Sequence, residues 1–421
     1  MKTSAAAGLA LLLLASSCGG ADEPRSALLV TLDTTRWDSL SITGAPAGLT
    51  PSLDALAEES VVYTAARTVA PLTLPSHASI LTGLYPPRHT VRTNSRMALP
   101  RSATTLAEKA RAAGMQTAAF VAAEVLSASF GLDQGFDHYE EPELRPQPPF
   151  ERLGAEEIAD RAIAWIRARD PDRPFFVWVH FFDPHWPYAA PERFVRQADG
   201  DVYLAEVARV DDAVGRIFDV LRSEGVYDDT AIVVVADHGE GLEEHDERTH
   251  GTLVYDSTLR VPLLVRYPDG HRAGERSDEL VSVVDVLPTL SEAMGLAPPG
   301  DVDGQSLYRR VSDDRGLYFE SYYGFYSFGW SPIAGWVDPA GKYIHSSEPE
   351  LYESQDAGEL VDVFAARKGE LERYRDGIDA IARRSRLQRS QDDRAGSAMI
   401  DQLHSLGYAG TADGAALPHP L

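Results

Sequence analysis

The stretch TAIVVVADHGEG, residues 230–241, changes character at its midpoint. Its first seven residues are almost wholly apolar and rich in β-branched side chains, with no polar alternation. That is the composition of a strand buried on both faces. It then breaks into Asp237, His238, Gly239, Glu240 and Gly241, a loop that carries chemistry. Buried strands that end in polar residues belong to parallel sheets covered by helices, where ligands gather at the carboxyl ends of the strands.

The same grammar recurs along the chain. ALLVTLD (27–33) ends at Asp33, and PFFVWVHFF (174–182) runs into Asp183. MQTAAFVAA (115–123) and VPLLVRY (261–267) read as further strands. Helical segments lie between them. TPSLDALAEES has Thr50 at the N-cap and Pro51 at the first helical position. TLAEKARAAG (105–114) carries a Thr-x-x-Glu capping box and a terminal Gly114. Residues 155–169 place Ile158, Ala162, Trp165 and Ile166 on one face. Leu204, Val207, Val210, Val214, Ile217 and Leu221 mark a long amphipathic helix stopped by Gly225. The predicted fold is α/β: a mostly parallel sheet with helices on both faces, plus a small C-terminal antiparallel sheet and helix.

The 421 residues divide by texture. Residues 1–18 read as a signal peptide: Lys2, the apolar AAAGLALLLLA, then LASSC ending at Cys18. The last five residues resemble a lipoprotein box, although Leu14 sits one place further from the cysteine than usual. The expected product is exported and lipid-anchored at the bacterial envelope, in the periplasm or on the outer membrane. Cys18 is the only cysteine, so no intrachain disulfide can form. A linker (19–26) leads to a main domain (27–300). An aromatic, Gly-rich α+β subdomain (301–365), a charged helical segment (366–410) and a disordered tail (411–421) follow. Acidic residues outnumber basic ones 64 to 39, giving a formal charge of −25. No long basic run is present, which excludes a nucleic-acid surface. An anionic ligand therefore needs local positive charge or a metal. No motif specifies an oligomeric state.

VAPLTLPSHASILTGLYPPRH (69–89) supplies the candidate reactive group. Pro75 suits the first turn of a helix that Gly83 ends, so the Thr73 hydroxyl lies at a helix N-terminus, where anions are favoured. Asp33, Asp237 and His238 offer two carboxylates and an imidazole, a donor set for Mg, Mn, Ca or Zn. On these residues alone, Thr73 is either a nucleophile activated by such a metal or an ordinary turn residue.

These segments, with FGLDQGFDHY, HFFDPHWPY, LRVPLLVR and VDVLPTLSEAMGLAPPGDVDGQSL, resemble the sulfatase family of the alkaline-phosphatase superfamily over residues 26–365. A late LGY (406–408) is similar to that of bacterial members. The resemblance implies one divalent metal held by Asp33, Asp237 and His238, with Thr73 at the nucleophile position and also facing the metal. It implies that His185 contacts the ester oxygens or protonates the leaving group, that His89 orients the nucleophile or the anion, and that His250 faces the substrate. Arg88 and His77 take substrate-binding positions, and Lys342 is a further cation for the anion. Two departures stand out. Sulfatases carry Cys-x-Pro-Ser-Arg, whose cysteine becomes formylglycine; this chain has Thr73-Leu74-Pro75-Ser76-His77, so no formylglycine can form. Thr34 stands where many members have a second aspartate. From Asp183, the residue four places on is Pro187, so the Asp-x-x-x-His pair of two-metal relatives is missing there. The expectation is a metal-dependent hydrolase of anionic esters, phosphate mono- or diester or sulfate ester. A phosphoglycerol-type transferase and a non-catalytic lipoprotein that binds sulfated or phosphorylated glycans are the alternatives.

Overall fold

The computed structural model describes residues 24–94, 97–142, 153–390, 419 and 421. The signal segment, Cys18 and the LGY stretch lie outside them, as does all of the tail except residues 419 and 421. Among the described residues, no helix is long and apolar enough to cross a membrane.

Eight strands form the main sheet: β1 (Ser26–Leu32), β2 (Val61–Arg67), β3 (Gln116–Phe120), β4 (His138–Glu140), β5 (Phe175–Phe181), β6 (Thr230–Ala236), β7 (Leu263–Arg266) and β8 (Arg276–Ser282). Their spatial order is β4-β3-β5-β1-β6-β7-β2-β8. All neighbours are parallel except β7, which runs antiparallel to both β6 and β2. VPLLVRY is therefore a strand, but the reversed one. Strands β5 and β6 are buried along their whole length, as is β1 after Ser26. This matches their unbroken apolar sequences. Two groups of helices cover the sheet. Pro51–Glu58, Ala155–Ala168 and Glu192–Gln197 pack on the long helix Val202–Ser223, while Thr73–Thr82, Leu106–Ala112 and Val286–Ala293 pack on one another.

Three strands were not anticipated. β8, RSDELVS, is an edge strand whose polar residues are unremarkable for that position; β4 has only three residues; and the register of β2 against β8 shifts between Tyr63 and Ala65. At the caps, Thr105 and Glu108 form the expected box. Thr50 precedes Pro51 as expected, but its hydroxyl does not cap. Asp211, from the long helix, instead accepts the amide hydrogens of Ser52 (3.0 Å) and Leu53 (2.8 Å).

A second, antiparallel sheet of β9 (Leu317–Ser321), β10 (Ile333–Asp338), β11 (Gly341–His345) and β12 (Glu350–Tyr352) has the order β12-β11-β10-β9. The helix Leu371–Ala382 lies on it through buried Leu371, Tyr374, Ile378 and Ala382. Within the described residues, the expected helical segment 366–410 is helical only that far. Beyond Arg383 the backbone pairs with the main domain instead: Leu387 N–H donates to Arg88 O (2.8 Å), and Arg389 reaches Thr90 O (3.2 Å).

Candidate active site

Strands β5, β1 and β6 are adjacent, and Leu32 lies level with both Phe181 and Ala236. The chain therefore leaves β1 and β6 side by side, and Asp33 and Asp237 emerge together. The ligand atoms of Asp33, Asp237 and His238 all lie within 4.8 Å of one another, fully buried. The turn after β6 is tight because Gly239 packs directly on Ser257, where a Cβ would lie 2.2 Å from the backbone oxygen.

The helix Thr73–Thr82 brings the hydroxyl to this cluster. Its N-cap is Leu72, Thr73 is its first residue, and Gly83 (φ 68°) closes it in the left-handed conformation that glycine adopts without strain. Thr73 Oγ1 lies 3.3 Å from His238 Nε2. Hydrogen-bond partners decide the histidine tautomers. His238 Nδ1 lies 2.9 Å from Gly239 O, a pure acceptor, so Nδ1 carries the hydrogen. Nε2 then presents its lone pair to Thr73, Asp33 and Asp237.

A second cluster, His77, His180 and Asp237, also has ligand-like spacing. Its tautomers point the other way. His77 Nδ1 lies 2.8 Å from Thr73 O and therefore donates. His180 Nδ1 accepts from Ala122 N (3.3 Å), which leaves the hydrogen on Nε2, 3.3 Å from Asp33 Oδ2. His180 thus turns an N–H toward Asp33, whereas His77 gives its N–H to Thr73 O, with Asp237 Oδ2 3.6 Å away. Burial pushes His180 down to about 3, and burial together with His180 pushes His77 well below its ordinary value, so both are neutral.

Asp237 Oδ1 accepts from the amides of His238 (2.7 Å) and Thr34 (3.2 Å), whereas the buried Oδ2 accepts no hydrogen bond. Burial, and then the charge of Asp33, raise the Asp237 carboxyl well above its ordinary value. Two buried carboxylates, an orphaned oxygen and an imidazole lone pair fit a divalent cation, which would offset that repulsion. Thr34 itself is a β-branched residue at φ 47°, held there by its amide on Asp237 and by Tyr203 Oη on its carbonyl (2.8 Å).

Two further histidines rim the cluster. His250 packs at a tilt on His238 (centroids 4.4 Å apart) and donates to Glu240 Oε1 (3.0 Å), while His185 meets its edge at 5.1 Å. Burial opposes a charge on His250, but Glu240 outweighs it and lifts the group to about 9. β9 reaches the same rim, where Ser321 Oγ donates to Gly251 O (2.5 Å). Next to it, Tyr323, Phe328 and Trp330 form an aromatic cluster whose last two members are 55% exposed.

Four expected site residues lie elsewhere or act otherwise. Arg88 is buried against Asp301 (2.5 Å) and Asp303 (3.0 Å) and tethers the C-terminal segment. Lys342 is buried between Asp256 (3.0 Å) and Glu359 (2.7 Å), which engage its ammonium away from the cluster. His89 accepts from Val91 N (3.1 Å) and donates to Ser79 (3.0 Å), so it pins the helix rather than orienting Thr73. His77 spends both nitrogens inside the protein, on Thr73 O and on Thr31 Oγ1 (3.0 Å), which leaves none for substrate. Asp183 is engaged by Ala155 N (3.0 Å) and Arg209 (2.9 Å) rather than by the cluster. Sequence reasoning missed His180, although a single histidine in the apolar run FFVWVHFF was a visible signal. It also missed Asn94, whose Oδ1 accepts from Leu74 N (2.8 Å) at the start of the Thr73 helix.

The sulfatase family model matches residues 25–296, well over half of the chain. The chain belongs to the sulfatase family. Similar members of known identity include the ulvan-active sulfatase of Formosa agariphila, 27% identical over 348 residues, covering 69% of this chain and 66% of that protein. The N-acetylgalactosamine-6-sulfatase of Homo sapiens is also 27% identical over 348 residues, covering 68% of this chain and 66% of its own. The chain thus spans just under two thirds of the length of either sulfatase. The crystal structure of the phosphonate monoester hydrolase of Agrobacterium radiobacter superposes with a TM-score of 0.70 at 23% identity, over 85% of this chain and 95% of that one, and shows the shared fold.

Proposed function

We propose that this sulfatase-family chain is a metal-dependent hydrolase of anionic esters, with Thr73 as the nucleophile. The supporting observation is the Thr73 hydroxyl, 3.3 Å from the lone pair of His238 Nε2 at the edge of two buried carboxylates. Asp33, Asp237 and His238 would hold a single divalent ion, with the Thr73 hydroxyl beside it. When bound, the ion supplies positive charge that lowers the pKa of the hydroxyl and neutralises the anion.

The remaining steps fall to side chains. Thr73 Oγ1 gives its proton to water and forms a bond to phosphorus or sulfur while the bond to the leaving oxygen breaks. His250 and His185, at the rim, are placed to give that oxygen a proton. Water then attacks the threonine ester, and the anion leaves. This last step separates the chain from formylglycine enzymes, whose geminal diol expels sulfate by itself. A threonine ester has no internal escape, which favours phosphate esters. The names of the two relatives favour sulfated sugars. Export and anchoring through Cys18 belong to the same proposal, and lipid labelling of the wild type but not of Cys18→Ala tests them.

The functional test is turnover of an aryl phosphate, an aryl phosphodiester and an aryl sulfate with Mg, Mn, Ca or Zn. We expect turnover of at least one ester, abolished in Thr73→Ala, with a covalent adduct on Thr73 seen by mass spectrometry. Turnover that survives Thr73→Ala overturns the nucleophile assignment. Capture of the product by an added alcohol in place of water makes the protein a transferase. Anion binding without turnover makes it a binding protein.

A further inference from the structure

We propose that the amino edge of the main sheet faces the anchoring bilayer, so that the site opens away from it and takes a water-borne anionic ester rather than the head group of a lipid in the same membrane. The inference rests on the Cys18 anchor and on the anionic-ester reading of the site.

The two ends of β1 set the geometry. Ser26 opens the strand level with Thr230 at the start of β6, and Ala27 lies level with Phe176 of β5. The three central strands therefore begin at one edge. Arg25 N donates to Met294 O (3.1 Å), which ties the chain to that edge just before β1. Asp33, Asp237 and the rim histidines lie at the other edge. The seven residues of β1 separate the two by about 23 Å, at about 3.3 Å per residue.

The reach of the tether decides which edge meets lipid. Seven positions separate Cys18 from Arg25. Seven fully extended residues span at most about 25 Å. A compact chain of 421 residues has a radius of gyration of about 22 Å, and hence a width of roughly 50 Å. To press the rim onto the bilayer, the amino edge would have to stand about one such width above it. The tether covers half that distance. A lipid head group would have to rise more than about 20 Å out of its bilayer to reach Thr73. The rim agrees with this orientation. Phe328 and Trp330, each 55% exposed, stand at the edge far from the anchor, where they cannot dip into the same bilayer. They are left for the leaving group of the ester.

Energy transfer to the bilayer tests the orientation. Cys18 is the only cysteine, and the lipid occupies its thiol, so one introduced cysteine takes a single fluorescent donor. Asp229→Cys puts the donor at the amino edge, beside Thr230, and Arg248→Cys puts it at the rim, two residues before His250. Both positions are exposed. The lipidated proteins are placed on phosphatidylcholine vesicles that carry a lipid-linked acceptor. We expect at least twofold more transfer from position 229 than from position 248. Equal or reversed transfer overturns the orientation and leaves the anchor and ester readings standing. A wild type that carries no lipid and stays off the vesicles overturns the anchor and the orientation together. Turnover of the accepted aryl ester should agree within twofold between detergent and vesicles, and a fivefold loss on vesicles overturns the water-facing mouth. A protein that turns over no ester overturns the ester half of the proposal, while energy transfer still decides the orientation.

Discussion

Replacing Thr31 with valine isolates one buried relay. Trp178 Nε1–H donates to Thr31 Oγ1 (2.9 Å), Thr31 Oγ1–H donates to His77 Nε2 (3.0 Å), and His77 Nδ1–H donates to Thr73 O (2.8 Å). The directions are forced at both ends, because indole only donates and a carbonyl only accepts. All four residues are at most 1% exposed. Valine matches threonine in shape, so no cavity forms, but the indole N–H and the imidazole Nε2 each lose their only partner. A buried polar group left unsatisfied costs about 1–3 kcal/mol, so Thr31→Val is expected to destabilise by about 2–6 kcal/mol. Thr31→Ser keeps both bonds and deletes one methyl group, at about 1 kcal/mol. Urea unfolding of the three proteins under identical conditions measures both losses. A Thr31→Val protein as stable as Thr31→Ser, or within 0.5 kcal/mol of wild type, would show that the relay is not stabilising and that the tautomers drawn from it are wrong.

Other outcomes follow from single observations. Burial, and then Arg92, hold His89 down to about 3, whereas the unfolded group titrates near 6.5. Its folded pKa is depressed, so its stabilising contribution is full above 6.5 and is lost as pH falls toward 3. Between pH 7 and pH 5 that amounts to about 2 kcal/mol, a slope that should be missing from His89→Gln when the two denaturation midpoints are compared. Lys342→Met should cost about 3–5 kcal/mol by stranding Glu359, while Asp256 keeps Arg67 (2.6 Å), yet leave KM unchanged in the surviving folded protein; a raised KM would restore Lys342 to the site. Adding Mn at about a hundred times its Kd should stabilise the wild type by about 2.7 kcal/mol, and Asp237→Asn, at least as stable without metal, should show no such gain in a melting experiment. Trp330→Ala should raise KM for a bulky leaving group about fivefold with kcat unchanged, given roughly 1 kcal/mol for an aromatic contact; an equal effect on a minimal aryl ester would remove the aromatic cluster from leaving-group recognition.

The central strands were legible because burial on both faces leaves no room for polar alternation, as in AIVVVA and ALLVTL. The candidate metal-ligand cluster was legible for the same reason: Asp33, Asp237 and His238 stand where such runs stop. What escaped was whatever depends on partners distant in sequence. Arg88 and Lys342 look like cations available for a substrate until Asp303, Asp256 and Glu359 come into view from elsewhere in the chain. His77, in the place of an anion-binding arginine, takes its actual role from Thr31, 46 positions away. Asn94 was passed over because its partner, Leu74, lies 20 positions away across a helix and a loop. The end of the last helix was misjudged because charged residues continue past Ala382 while the apolar stripe does not.

The division of labour between the sheet and the Thr73 helix bears on how this chemistry can change over time. The floor of the site is made by three neighbouring strands that share register, so its carboxylates cannot move independently. The proposed attacking group comes instead from one ten-residue helix with its own fastenings: Asn94, His77 and His89. The helix is in effect an interchangeable tool head on a fixed bench. Lineages can trade one attacking atom for another there without rebuilding the bench, provided the fastenings are retuned in step. A cysteine placed at position 73 alone would thus meet a pocket already fitted to a different tool.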